Sequence, residues 1–595
     1  MVGGVCDVFG SGFGKLRLVF SLKENRMRSP SDGGGGPSVH PLTRAGLSKL
    51  ITVVIVAVVL VSIAGAFTLL NYAPTQGVGT STRPATTPTS LKTPTTTTLP
   101  AGSVGGGGRV LRVGIGIDAD TLDPAGQTTT TISNIVRFFA EPLFLVDSDG
   151  SLKPLLAESY EVSPDGRNYT IRLRGGIKFH DGTPLNASAV KYSLERLLNP
   201  NVKVPSRAYY TIISRIEVLD ELTVRLVLKE PYAPFITVLS FTQAAIISPK
   251  AVEALGDSIT TSPLNIGTGP FRFKEWVKGD RIVLVRNENY WNGTPYFSEV
   301  VFKVVPDAQT RTAMLLAGDL DIIIQPSATD VEMLSRRSDV RVIATASNRV
   351  MYVGINTQYG PLRDVRVRQA LNYAVDKDAI VKNVLFGLGQ VMDSPVPSYT
   401  LGHVTLGPYS YDPSKAKELL REAGYPNGFR ITLITPTGRY VFDKQVAEAI
   451  AQYLREVGIE VEVRTYDWPT YVSTVLAPLN KTEVQLFLLG WSPGSPDPHF
   501  YLYQRFHSTQ FTPNGFNNFF YNRSRVDKLL DEGVRNPNPA VRAAIYEEVN
   551  RLIWEDAPNI FLYLQYFIVV TRADLVNVKV FPYEMFDLTY ARLSS

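Results

Sequence analysis

From Tyr160 to Arg196 the chain reads YEVSPDGRNYTIRLRGGIKFHDGTPLNASAVKYSLER, and the turn chemistry of this stretch leaves few local folds open. Ser163-Pro164-Asp165-Gly166 sets a proline where a turn wants φ near about −65° and a glycine where the turn closes. Residues 160–162 and 169–173 are therefore expected to pair antiparallel. In the second strand Tyr169, Ile171 and Leu173 share one face, which should be the buried one. A second turn at Asp181-Gly182 leads through Pro184 to Asn186, a good N-cap for a helix running from Ala187 towards Leu198. The product is an α+β element, which by itself says nothing about function.

Strands and helices alternate elsewhere too. Leu111 to Ile117, Glu299 to Val305 and Val461 to Arg464 show the two-residue period of strands, while Pro413 to Ala423 and Phe442 to Val457 show helical spacing. Tyr440 through Gly458 followed by IEVEVR reads as a helix-to-strand unit of a mixed sheet covered by helices. At 595 residues, 44% of them hydrophobic, the chain is long enough to build more than one domain core.

The 60 basic and 55 acidic residues leave a net charge of +5. Much of the excess sits near the N-terminus, where Lys15, Arg17, Lys23, Arg26, Arg28, Arg44 and Lys49 outnumber Asp7, Glu24 and Asp32. Nucleic-acid binding gains no support from that distribution. Next come 21 residues without a charge, Leu50 to Leu70. As a helix they measure about 30 Å, one hydrocarbon core. The basic flank before this run puts residues 1–49 in the cytoplasm and everything after Leu70 outside. Three processings fit. The run stays as an anchor, or it is a signal peptide cut near Ala64-Gly65-Ala66, or the chain is cut at Arg44-Ala45-Gly46-Leu47, which resembles an archaeal pilin-like processing site. Because the apolar run continues past Ala66, a retained anchor is the favoured expectation. Met27 offers a shorter leader with the same topology. Cys6, the one cysteine, precedes the run, so neither an internal disulfide nor a lipid-bearing cysteine after a signal is expected.

Residues 71–108 are Thr/Pro-rich and then Gly-rich, a composition that buries no core and suits an extended tether. Asn168, Asn186, Asn292, Asn480 and Asn522 each open an N-x-S/T triplet compatible with glycosylation at an extracellular surface.

The order of motifs resembles one family. Thr121-Leu122-Asp123-Pro124, the Tyr160–Arg196 stretch, Gly267-Thr268-Gly269-Pro270-Phe271, Asn289-Tyr290-Trp291, NTQYGPLRDVRVRQALNYAVDKDAI from Asn356 to Ile380, Gly490-Trp491 and Pro496-Asp497-Pro498 are similar to landmarks of the family 5 extracellular solute-binding proteins of ABC importers. That resemblance covers the chain from about Arg109 onwards. It implies an α/β, two-lobed, periplasmic-binding-protein-like (type II) fold with an extra inserted domain. Lobe I would comprise 109–150, 263–350 and 566–595, the inserted domain 151–262, and lobe II 351–565. Also implied is a monomeric receptor without cofactor, metal or catalysis. It would capture an oligopeptide or oligosaccharide by lobe closure and pass it to ABC permease subunits driven by separate ATPase subunits.

The resemblance further implies a ligand cavity lined by Trp468, Trp491, Gly494 and Ser495, the two indoles offering ring faces and N–H groups. Either tryptophan could instead pack a core. Peptide-binding members typically carry an aspartate three residues after the Gly-Trp tryptophan, where its carboxylate holds the peptide ammonium group. Here that position is Gly494. Glycine supplies no charge-assisted hydrogen bond, which turns the expectation towards a neutral solute such as an oligosaccharide. An acid from another loop would restore peptide binding, although Asp497, between prolines, reads as a turn residue.

Other motifs carry less. Gly490-Trp491-Ser492-Pro493-Gly494 matches G-x-S-x-G and nominates Ser492 as the nucleophile of a secreted hydrolase. However, Pro496 and Pro498 follow where a nucleophile elbow leads into a helix, and His507 is too close for the usual order. The histidines His40, His180, His403, His499 and His507 show no metal-binding spacing. Asp147-Ser148-Asp149-Gly150 starts like a calcium loop, yet its glycine is misplaced and a hairpin turn is expected. A sensory ectodomain would need a signalling domain, for which residues 1–49 leave no room.

Overall fold

The computed structural model describes residues 109–594, and among them no helix is long and apolar enough to cross a membrane. The apolar run from Leu50 to Leu70, the basic leader and the linker lie outside the described residues.

Strands Ala157–Val162 and Asn168–Leu173 pair antiparallel, with Tyr160 opposite Ile171 and Val162 opposite Tyr169. Gly166 closes the turn at φ 68°. Tyr169, Ile171 and Leu173 are all buried, as their alternation requires. The Asn186 side chain accepts the Ala189 N–H at 3.0 Å and starts helix Ala187–Leu198. Strands Ile213–Val218 and Thr223–Leu228 complete a four-stranded antiparallel sheet, and Val190, Leu194 and Leu197 of that helix share its core. Asp147 to Gly150 form the turn between strands Phe144–Val146 and Leu152–Pro154, with Gly150 at φ 80°.

A larger sheet of eleven strands carries the rest of the molecule. Its order is Glu460–Tyr466, Arg430–Pro436, Leu486–Trp491, Val340–Ile355, Asn559–Arg572, Ile322–Ile324, Val110–Ile115, Glu299–Val304, Arg281–Arg286 and Phe271–Val277; Gly389–Val391 pairs with Asn559–Arg572 off that path. Both parallel and antiparallel pairs occur, so this is a mixed sheet. Helix Asp443–Glu456 joins Arg430–Pro436 to Glu460–Tyr466, the crossover anticipated from the sequence.

Two central strands belong to both ends of this sheet. Val340–Ile355 and Asn559–Arg572 run antiparallel from the Val340/Arg572 pair to the Gly354/Asn559 pair. Ile322–Ile324 flanks one end of this long ladder, and Leu486–Trp491 flanks the other. Midway, the register shifts between Ala346 and Val350, which leaves Ser347, Asn348 and Arg349 outside the ladder. Such a bulge bends and twists its strand. Ala346 faces Tyr566 and Val350 faces Leu564 on the two sides of this break.

Different cores flank the two ends. Val113, Phe139, Phe271, Phe302 and Val569 pack together at one. At the other, Met351, Val353 and Leu488 point to one face while Val350, Tyr352 and Phe487 point to the opposite face, and each face is covered. The Gly267-Thr268-Gly269 run passes close under residues 138–140. A Cβ on Gly267 would collide with the Phe139 carbonyl, and one on Gly269 with the Phe138 carbonyl. Close backbone approach therefore dictates both glycines.

Candidate functional site

A cavity of about 620 Å³ opens where these parts meet. One wall comes from the loop before helix Thr130–Arg137 and from the helix itself, through Gln127, Ser133 and Arg137. Tyr209, Phe241 and Gln243 extend it from the region of the four-stranded sheet. Asn348 from the bulge, Trp491 to Gly494, Phe500, Phe516, Tyr583 and Met585 also line it.

Trp491 ends its strand, and its indole N–H donates to the Phe500 carbonyl at 2.8 Å. Its ring lies 5.0 Å from that of Phe516, tilted by 55°. The expected ring face is thus present, but the N–H is already committed to the protein. Gly490 precedes it because a Cβ there would press on Met351 Sδ and the Tyr440 ring. Gly494 also lines the cavity, and a Cβ built on it meets nothing within 4 Å.

Among the described residues Ser492 has no catalytic partner. Its hydroxyl donates to Asn348 Oδ1 at 2.7 Å, and the Asn348 side-chain amide donates to the Pro493 carbonyl. The Asn348 backbone N–H reaches the Pro582 carbonyl at 2.7 Å, so two separate segments are tied to the bulge. His499 packs against the rings of Tyr232, Phe500 and Tyr503, and His507 stacks on Tyr503. The G-x-S-x-G match is therefore a strand end followed by a proline turn.

The remaining expected residues sit elsewhere. Ser495 is fully buried and is not part of the cavity wall; its hydroxyl accepts the Asp497 N–H at 3.1 Å and shapes the turn behind that wall. Asp497 is held by Arg542 through two 2.9 Å bonds. Trp468 opens helix Trp468–Val475, stacks on Tyr471 at 5.9 Å and lies under the Arg439 guanidinium at 4.8 Å. It packs against the core beside the strand that carries Trp491, outside the cavity.

Arg137 is the residue that sequence reasoning missed. It is the last residue of its helix and half-buried, and among the described residues it is the only Asp, Glu, Lys, Arg or His in the cavity wall. Its guanidinium donates to Met585 Sδ at 3.3 Å. Burial pulls its pKa down to about 10, against the fields of Asp587 and Glu141. Those two acids line a neighbouring cavity of about 220 Å³, which Arg137 and Met585 also border. Glu141 accepts from Tyr290 at 2.7 Å, Thr268 at 2.7 Å and Trp291 at 3.1 Å, and burial pushes its pKa up. An arginine within the apolar run IVRFFAEPLF was the available signal. Asn348 and Phe516 carried none, since only the bulge and the fold of the 511–521 loop bring them to the wall.

A mixed sheet crossed by two shared strands, an added antiparallel sheet, and a solute-sized cavity bordered by all of these describe a type II periplasmic-binding-protein fold, the class of the solute receptors of ABC importers. The chain belongs to the bacterial extracellular solute-binding proteins, family 5, whose middle-region model matches residues 151–513. It is 32% identical over 484 residues to the glutathione-binding protein GsiB of Pectobacterium atrosepticum, spanning 81% of this chain and 94% of that one. GsiB of Escherichia coli strain K12 is 33% identical over 472 residues, 79% and 92% of the two chains. Among solved structures, HbpA2 of Haemophilus parasuis superposes with a TM-score of 0.75 at 27% identity, covering 82% of this chain and all of that one. The Helicobacter pylori protein DppA in complex with the peptide STSA gives 0.66 at 28%, with 82% and 98% covered. Proteins of this family are extracellular or periplasmic solute carriers for ABC transporters and are not enzymes.

Proposed function

We propose that this protein is the tethered extracellular receptor of an ABC importer. In this reading residues 50–70 hold it to the membrane as a single-pass anchor. The two ends of the large sheet close about the Ser347–Arg349 bulge, and a short peptide is enclosed and delivered to permease subunits served by separate ATPases. The protein acts as a monomer.

The observation that carries the reading is the cavity, whose walls come from both ends of the large sheet and from the four-stranded sheet region. At about 620 Å³ it falls within the roughly 300–1,000 Å³ typical of small-ligand sites. Relative motion of the parts around a bulge would open and shut it, as in hinge closure generally. Trp491 supplies a stacking surface and Gly494 the open rim next to it, while Trp468 and Ser495 support the wall from behind. A peptide is favoured over a neutral sugar because similar proteins are named for glutathione or solved with bound peptides, and because the wall carries a guanidinium. The hydrolase alternative is not favoured, since Ser492 bonds to an asparagine amide and no base reaches it.

The test is thermal unfolding of the full-length chain in detergent with glutathione, tripeptides, longer peptides and oligosaccharides. A solute at a hundredfold over its Kd adds about 2.7 kcal/mol. Stabilisation by the peptide group supports the reading, and stabilisation by sugars alone overturns the peptide assignment.

A further inference from the structure

By chain order the four-stranded sheet belongs to one end of the large sheet. It is entered after helix Thr130–Arg137 and left towards strand Phe271–Val277, and Ile132, Ile135 and Phe271 share one core. Its outer turns nevertheless rest on the other end. Gly166 is buried, and a Cβ on it would stand 3.7 Å from both the Arg535 carbonyl oxygen and the Pro537 Cβ. The Ala233 N–H donates to the Val534 carbonyl at 2.8 Å, and the Tyr232 ring meets His499 edge-on at 5.4 Å. Phe500, 2% exposed, enters the core of the four-stranded sheet, 5.4 Å from the Tyr209 ring and 5.8 Å from that of Phe241. Val534 lies in helix Ser524–Arg535, whose Leu529 and Leu530 pack with Val350, Tyr352 and Phe561 of the large sheet. His499 and Phe500 follow Asp497, which Arg542 holds to the same end.

Parting the two ends therefore breaks this contact. The Val534 carbonyl belongs to the last turn of its helix and has no intrahelical partner to return to. Phe500 would leave an aromatic slot for water and lose its buried apolar area. Gly166, Tyr232, Ala233, His499, Val534 and Pro537 lie outside the cavity wall, so this part of the contact forms without touching the solute. In a receptor that alternates between open and closed, a bond made only in the closed state raises the closed fraction. The apparent affinity then rises with that fraction for every solute alike.

We propose that the docking of the four-stranded sheet on helix Ser524–Arg535 is the catch of the closed receptor, with Tyr232, Ala233 and Phe500 as positioning residues that set how long any solute is held. This rests on the lobe-closure reading above and adds what holds the closed state shut. Recognition of the solute stays with the cavity wall.

Cys6 is the one native cysteine, so a cross-link can be placed across the contact cleanly. In the full-length chain carrying Cys6→Ser, the pair Gly166→Cys and Pro537→Cys sets two Cβ atoms 3.7 Å apart, within the range of a disulfide. Strain from a side chain at φ 68° is present in the reduced form too, which serves as the control. Hydrogen exchange read by mass spectrometry compares the two forms in detergent without added solute. Segments 127–130 and 491–494 line the cavity and lie outside the contact. Oxidation should slow their exchange by roughly tenfold, because opening is blocked. Slowing confined to the neighbours of the cross-link would make the contact a fixed joint and overturn the proposal. Tyr232→Ala, with its folding checked by thermal unfolding, should weaken trialanine and tetraalanine by one common factor, about threefold or more, through faster release. Unequal factors or an unchanged release rate overturn it as well. If neither peptide binds the wild type, the peptide reading falls, while the exchange comparison still decides the catch.

Discussion

Asp497 and Arg542 face each other through two parallel 2.9 Å hydrogen bonds, with side chains only 6% and 8% exposed. The pairing holds the Arg542 guanidinium well above its ordinary range, Asp497 being the main favourable field. The carboxylate of the Pro-Asp-Pro motif is therefore a structural anchor between the loop after Trp491 and helix Pro539–Asp556. Removing it leaves a buried cation without its counter-ion, a change that typically costs about 3–5 kcal/mol. Asp497→Ala should lower the urea midpoint by a corresponding amount, while the fraction that remains folded binds solute as before. A stable variant with abolished binding would instead make Asp497 a ligand group.

Gly494 offers a clean gain-of-function experiment, because a side chain there enters open space beside Trp491. Gly494→Asp should strengthen binding of peptides with a free α-amine by roughly tenfold, the scale of one hydrogen bond to a charged group at about 1.5–3 kcal/mol. N-acetylated peptides should gain nothing. Calorimetry on the matched pair decides it, and identical changes for both would dismiss an ammonium contact.

The two tryptophans should separate by role. Trp491→Ala removes a cavity wall and should weaken solute binding by about tenfold or more, in line with the loss of an aromatic contact surface. Trp468→Ala strips a packed indole from beside Tyr471 and Arg439 and should mainly lower the melting temperature. Titrations and melting curves on both variants test the division. A binding loss in Trp468→Ala at unchanged stability would contradict it.

Acid should destabilise the fold through two imidazoles. Burial pulls His180 and His499 from 6.5 down to about 4. Between those values the unfolded chain holds protons that the folded chain refuses, so stability is fully present above about pH 6.5 and falls as the pH drops to about 4. Each imidazole contributes on the order of 3 kcal/mol to that fall. Urea midpoints at pH 7 and pH 4.5 should differ markedly, and His499→Phe, set among the rings of Tyr232, Phe500 and Tyr503, should shrink the difference. An unchanged difference in the variant would remove His499 from the account.

Local structure was legible wherever short-range chemistry decides it. Pro164, Gly166 and Asn186 announced the hairpin and the capped helix because each acts on its own backbone. Alternating apolar residues marked Glu299–Val304 and Glu460–Tyr466 for the same reason. The strand predicted to run to Ile117 stops at Ile115, since Asp118 turns away to receive the Trp276 and Gly279 N–H groups at 2.9 and 2.6 Å. The four residues expected at the site divide by position. Trp491 and Gly494 adjoin a motif, whereas Ser495 lies behind the wall and Trp468 outside it. Arg137, Asn348 and Phe516 lie far apart in sequence and share a cavity only through long-range folding of a helix end, a strand bulge and a loop. A periodicity of two or of 3.6 carries no record of such a meeting.

The bond from Trp491 to the Phe500 carbonyl fixes the bulkiest side chain of the cavity wall before any solute arrives. The rotational freedom of the indole is surrendered during folding, so that loss is not repeated at each encounter. A pre-set aromatic surface of this kind discriminates by shape rather than by adapting to its guest, and it is ready again as soon as the cargo has left.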